Sequence, residues 1–94
     1  MSVEAEFTRF CGTNVRYVSH ETPHSRTLRI HFEIVNVPGE AARKQVISGY
    51  LANGLALTLK RLVRKMADRA RLLAYNATGQ RAADMAQLLK GKTV

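Results

Sequence analysis

The sequence predicts an α+β domain in which a three-stranded antiparallel sheet is followed by a long amphipathic basic helix and a short C-terminal helix. Two observations lead there. Apolar residues alternate with polar ones before Pro38 and recur every three or four residues after it, the periods of strand and helix. Charge divides at the same place. Eleven of the fifteen lysines and arginines follow Pro38 against three acids, so the whole net charge of +8 lies there, while residues 1–38 carry four of each sign.

Residues 1–36 read as a β-meander. Val3, Ala5 and Phe7 alternate with Glu4, Glu6 and Thr8, as in a half-buried strand. Cys11-Gly12-Thr13-Asn14 supplies turn residues that tolerate positive φ, and Val15 and Tyr17 begin the next strand. The connection from His20 to Arg26 contains Pro23 and is too polar for core. The clearest strand is Thr27–Val35, where Leu28, Ile30, Phe32 and Ile34 alternate with Arg29, His31 and Glu33.

Residues 39–76 read as one helix. Pro38 lacks an N–H and suits a first turn, and Glu40 is favourable at the positive end. With Lys60 set at zero and about 100° per residue, Leu55, Leu59, Leu62, Met66, Ala70 and Leu73 gather at about 200° to 280°. Lys60, Arg61, Arg64, Lys65 and Arg71 fall opposite. Val46, Tyr50 and Leu57 make a second apolar side, interrupted only by the weak point Asn53-Gly54. A helix of this length spans ~50 Å against ~26 Å for an eight-residue strand, so it overhangs its own sheet. A homodimer that buries Val46, Tyr50 and Leu57 is the expected cover. Thr78-Gly79 then separates a short helix over residues 79–90, with Ala82, Met85, Ala86 and Leu89 along one edge.

The 94 residues form one domain, residues 1–94, with 46% hydrophobic and 23% charged residues, an ordinary globular balance. A lone Cys11, no cationic leader before SVEAEFTRF and no apolar run of membrane length predict a soluble cytoplasmic protein away from membranes.

Catalytic constellations are missing from the pattern. Cys11 has no Cys/His signature around it, the glycines form no phosphate-cradling motif, and the acids are scattered. His20, His24 and His31 lack a second cysteine or a nearby aspartate to complete a ligand set, so neither metal nor cofactor is expected. No enzyme is predicted.

The densest charge is Lys60–Arg71, six cations answered by Asp68 alone. Solvated helix faces usually mix signs in i,i+4 pairs, so this run points to a polyanionic partner. The predicted function is non-enzymatic binding to nucleic acid, a nucleoprotein or an acidic protein surface through Lys60, Arg61, Arg64, Lys65, Arg69 and Arg71. The alternative is an inhibitor or adaptor that docks a protein, in the manner of phage-encoded modulators of host machinery, through Val46, Tyr50 and Leu57 or through the basic face.

Pro23-His24-Ser25-Arg26-Thr27-Leu28 and the alternating strand after it resemble the Pro-x-His loop and second strand of double-stranded-RNA-binding domains. The resemblance covers about a dozen residues. That family also has a helix before the sheet and a lysine cluster opening its final helix. Here the chain reads as starting with a strand and holding its cations two or more turns into the helix, so the functional reading rests on charge.

Overall fold

A computed structural model describes residues 2–35, 43–51, 58–79, 87, 89 and 90. The element order is α1 (Val3–Phe10), β1 (Val15–His24), β2 (Thr27–Ile34), β3 (Arg43–Tyr50) and α2 (Leu59–Ala77). The three strands form one antiparallel sheet with β2 in the centre. The α+β class and the three-stranded sheet stand as predicted. The assignment of strands and helices along the chain does not.

The first correction concerns the meander predicted over residues 1–36: residues 2–35 hold a helix and a hairpin instead. Ser2 caps α1 by accepting from the Ala5 N–H at 3.3 Å, and Glu4 and Glu6 occupy the first turn, where the helix dipole favours them. Val3 and Phe7, four residues apart, are its buried pair, and Ala5 is exposed. Three alternating residues satisfy both periods, and the serine cap followed by glutamates was the signal that separates them.

The second correction concerns residues 39–76. Arg43–Tyr50 is β3, paired along its length with β2, Ile30 opposite Ile47 and Leu28 opposite Gly49. Two residues of the predicted second apolar side, Val46 and Tyr50, are on the outer face of this strand. Val46 and Tyr50 alternate with the buried Ile47 and Gly49, so they point away from the core. Gly49 fits a strand and not a helix here because α2 crosses it closely. A Cβ at Gly49 would stand 2.6 Å from Leu62 Cδ1 and 2.9 Å from Met66 Sδ.

Of the predicted long helix, residues 59–76 are helical among those described, and α2 with its 19 residues is ~28 Å long at the α-helical rise, which matches the strands. The overhang that called for a second subunit is therefore gone. Asn53-Gly54, Leu55 and Leu57 lie outside the described residues. Gly79, at φ +75°, follows the α2 cap residue Thr78, so the chain leaves the helix where the sequence predicted a break. Of the short helix predicted over residues 79–90, Gln87, Leu89 and Lys90 are helical, and the remainder beyond Gly79 lies outside the described residues.

Both helices cover one face of the sheet. α1 packs against α2 and β1, and α2 packs across all three strands. Phe7, Leu28, Ile30, Phe32, Ile34, Ile47, Val63 and Met66 fill the space between the layers. On the other face, β1 and β2 carry paired charges. Arg16 bonds Glu33 across β1 and β2, and Arg29 bonds Glu21 at 3.1 Å, with His31 Nε2 3.6 Å from the same carboxylate. Glu21 and Glu33 are thus used on the sheet and Glu4 and Glu6 lie on α1, so among the described residues the cations of α2 are answered by Asp68 alone.

Candidate nucleic-acid interface

α2 begins at Thr58, whose hydroxyl accepts from the Arg61 N–H at 3.3 Å. Leu62, Val63, Met66, Ala67, Ala70 and Ala74 bury one side and fix the helix on the sheet and on α1. The opposite side is consequently solvent-facing. Lys60, Arg61, Arg64, Lys65, Arg69 and Arg71 are all exposed, as the periodicity predicted. No acid occupies the first turn, so Lys60 and Arg61 sit at the positive end of the helix dipole. That placement opposes stability and favours a bound anion.

The six cations do not form one line. With Lys60 at zero, Arg71 and Arg64 lie at about 20° and 40°, Arg61 at about 100°, and Lys65 and Arg69 at about 140° and 180°. The first group flanks α1: Arg64 lies 5.1 Å over the Phe10 ring, which Arg9 approaches at 5.5 Å. Arg71 pairs with Asp68 and lines a small cavity with Gly12, Thr13 and Tyr75. Lys65 and Arg69 turn the other way, toward β3, where they line a groove with Ser48, Gly49 and Tyr50. Among the described residues Lys60, Arg61, Lys65 and Arg69 make no ion pair.

The fold also brings in residues that charge reading alone had not placed at the interface. Ser25 and Arg26 form the turn between β1 and β2, flanked by Pro23 and His24, all exposed. Thr27 pairs with Tyr50, and the Leu51 N–H donates to the Arg26 carbonyl at 2.9 Å, so this turn lies at the end of β3 where Gly49 meets Leu62. The β1–β2 turn and the opening turns of α2 therefore share one end of the molecule. His24 and Arg26 on the turn and Lys60 and Arg61 on the helix lie toward that end. The Pro23-His24 sequence was the available signal.

The predicted interface residues are not gathered at this site. Val46 and Tyr50 are 50% and 70% exposed on the outer side of β3, and Leu57 lies outside the described residues. Tyr50 alone reaches the cations, at the groove beside Lys65 and Arg69.

Cys11 is half-buried after α1, and burial pushes its thiol up to about 11, only partly opposed by the Arg71 charge. The thiolate is the reactive form. Relative to a thiol at the ordinary value of 9.0, alkylation by iodoacetamide at pH 8 is expected to be about a hundredfold slower. A rate equal to that of an exposed cysteine would show that the end of α1 opens readily.

Among the described residues, no three His, Cys, Asp or Glu side chains converge as a metal site, and no helix is long and apolar enough to cross a membrane. Comparison with protein-family models, with curated proteins and with solved structures finds no match to this chain.

Proposed function

We propose that this chain is a non-enzymatic binding protein for double-stranded RNA, which it grips with the first turns of α2 and the β1–β2 turn. The observation that carries the reading is the union of fold order and charge at one end of the molecule. The two features by which the sequence had departed from double-stranded-RNA-binding domains, a missing first helix and late cations, are reversed. α1 precedes the sheet, and Lys60 and Arg61 lie in the first turn of α2.

The physical fit is to an A-form duplex. Its major groove is deep and narrow with phosphates along both rims, and its minor groove is wide and shallow with 2′-hydroxyls exposed. Cations at a helix N-terminus suit the first, since they need only reach phosphates and not bases. The turn Ser25-Arg26, with Thr22 and His24 at the end of β1 beside it, presents donors and acceptors to the second. The chain departs from the family pattern at the turn. His24 follows Pro23 directly, without an intervening residue, which shifts the imidazole by one position along the turn.

Fluorescence anisotropy with a duplex RNA of about 20 base pairs, the same sequence as duplex DNA, and one RNA strand alone tests the proposal. Duplex RNA is expected to bind at least about tenfold more tightly than either competitor, with little dependence on sequence and a steep loss with salt. Equal or tighter binding to duplex DNA, or no binding to any of the three, would overturn it.

A further inference from the structure

The edge of β3 that is unpaired among the described residues and the flank of α2 beside it form a second surface, which meets the RNA-facing end at Gly49 and Tyr50 and runs from there along β3. The bond from the Leu51 N–H to the Arg26 carbonyl sets the phase of the β2–β3 ladder. Residues in register with it, Gly49 and Ile47, direct their N–H and C=O groups to β2, and the alternate residues Tyr50, Ser48 and Val46 direct theirs outward. No strand pairs with that edge among the described residues. Three consecutive outward residues offer six backbone groups to an incoming chain.

Beside this edge runs a groove of about 330 Å³, floored by Leu62 and Met66 and rimmed by Lys65 and Arg69, with Tyr50 at its mouth. Lys65 and Arg69 are four residues apart and ~6 Å along the helix, close to the ~6.7 Å between alternate residues on one face of a strand. Two acidic side chains at alternate positions of an added strand would therefore stand opposite two cations that have no ion partner among the described residues. Glutamate fits better than aspartate, because its longer methylene stem can lie on Leu62 and Met66 while the carboxylate reaches the rim. The other face of such a strand would lie beside the exposed Val46 and Tyr50, which favour apolar or β-branched neighbours.

We propose that the β3 edge and the Lys65–Arg69 flank of α2 bind an extended acidic peptide as a fourth strand, with glutamates on its helix-facing side and apolar residues on the other. The occupant is a separate protein and not a second copy. β3 carries Lys44 and no acid, and β1 has one acid, Glu21, already bonded to Arg29, together with Pro23. The only acids two residues apart in this chain, Glu4 and Glu6, are on α1. Adding a strand is a recurrent mode of peptide capture, with the backbone supplying affinity and alternate side chains supplying selectivity. This inference uses a different flank of α2 from the RNA reading and does not rest on it.

The probe is an end-blocked, labelled eight-residue peptide of alternating glutamate and valine, followed by anisotropy, with amide hydrogen exchange read at Ser48 and Tyr50. Saturable binding and slowed exchange at both amides are expected. Lys65→Glu with Arg69→Glu should weaken it by at least about tenfold, and Lys60→Glu with Arg61→Glu by no more than about twofold. N-methylation of alternate peptide bonds should abolish it by removing the ladder donors. No saturation up to millimolar peptide, an equal loss in both double variants, or full affinity after N-methylation would overturn the proposal. So would a Lys65→Glu/Arg69→Glu variant that loses duplex RNA as severely as Lys60→Glu/Arg61→Glu, since the flank would then belong to the RNA face.

Discussion

Replacement of Phe7 by alanine is expected to lower the free energy of unfolding by about 3–5 kcal/mol, the range for truncating a fully buried phenylalanine. Phe7 has no exposed surface, and its ring lies 6.2 Å from that of Tyr17 and 6.3 Å from that of Phe32. It is the contact through which α1 meets the sheet. A chain of 94 residues has a stability of roughly 5–14 kcal/mol, so the loss is a large fraction of the whole. α1 holds only one other buried residue, Val3, and eight residues cannot stay helical in isolation. The variant should therefore release α1 before the sheet melts. Urea denaturation gives the magnitude, and Cys11 gives the location, because its thiol loses the burial that raises its pKa and should alkylate faster. A change below about 1 kcal/mol with unaltered Cys11 reactivity would mean that α1 is peripheral to the core.

That a residue of this weight lies in a segment that also reads as a strand shows where the sequence is ambiguous. Thr27–Ile34 is legible because four alternations exclude the helical period, and the strand is buried on the predicted side. Val3 to Phe7 spans too few residues to exclude either period, and the deciding information was the Ser2 cap. β3 is harder. Its outer face mixes Lys44 and Ser48 with Val46 and Tyr50, and its inner face mixes Gln45 with Ile47 and Gly49, so polarity does not alternate and the period of a strand is hidden. Gly49 is explained only by the approach of Leu62 and Met66, a tertiary fact.

Of the helix predicted over residues 39–76, the part from Leu59 onward is helical among the described residues, and its buried side differs from the predicted one. Leu62, Met66 and Ala70 are buried as predicted, but Leu73 is 42% exposed while Val63, Ala67 and Ala74 are enclosed. The buried arc is rotated because α2 meets two neighbours, the sheet on one side and α1 on the other. Alanines at 67, 70 and 74 carry no strong hydrophobic signal, yet small side chains are what close helix packing requires. The same rotation divides the six cations into an α1 flank and a β3 flank, a division invisible without knowing that α1 is a helix.

Lys60→Glu with Arg61→Glu is expected to weaken duplex RNA binding by at least about a hundredfold, the largest loss for any pair of exposed residues. Each phosphate contact removed should flatten the dependence of log affinity on log salt by about 0.9 in a duplex, so the pair should flatten it by nearly two. Arg64 is the poorer choice for this test because it also stacks on Phe10, and its loss would mix binding with packing. Stability should move the other way. Glutamates at these positions meet the positive end of the α2 dipole, where the native chain has two cations and no acid, so the variant should melt at the same temperature or higher. A surface pair that opposes stability in the free protein is what a binding site demands, and the opposed changes separate function from folding in one variant. Calorimetry and anisotropy on the same sample decide it. Undiminished affinity with an unchanged salt slope in a folded variant would remove the opening turns of α2 from the interface.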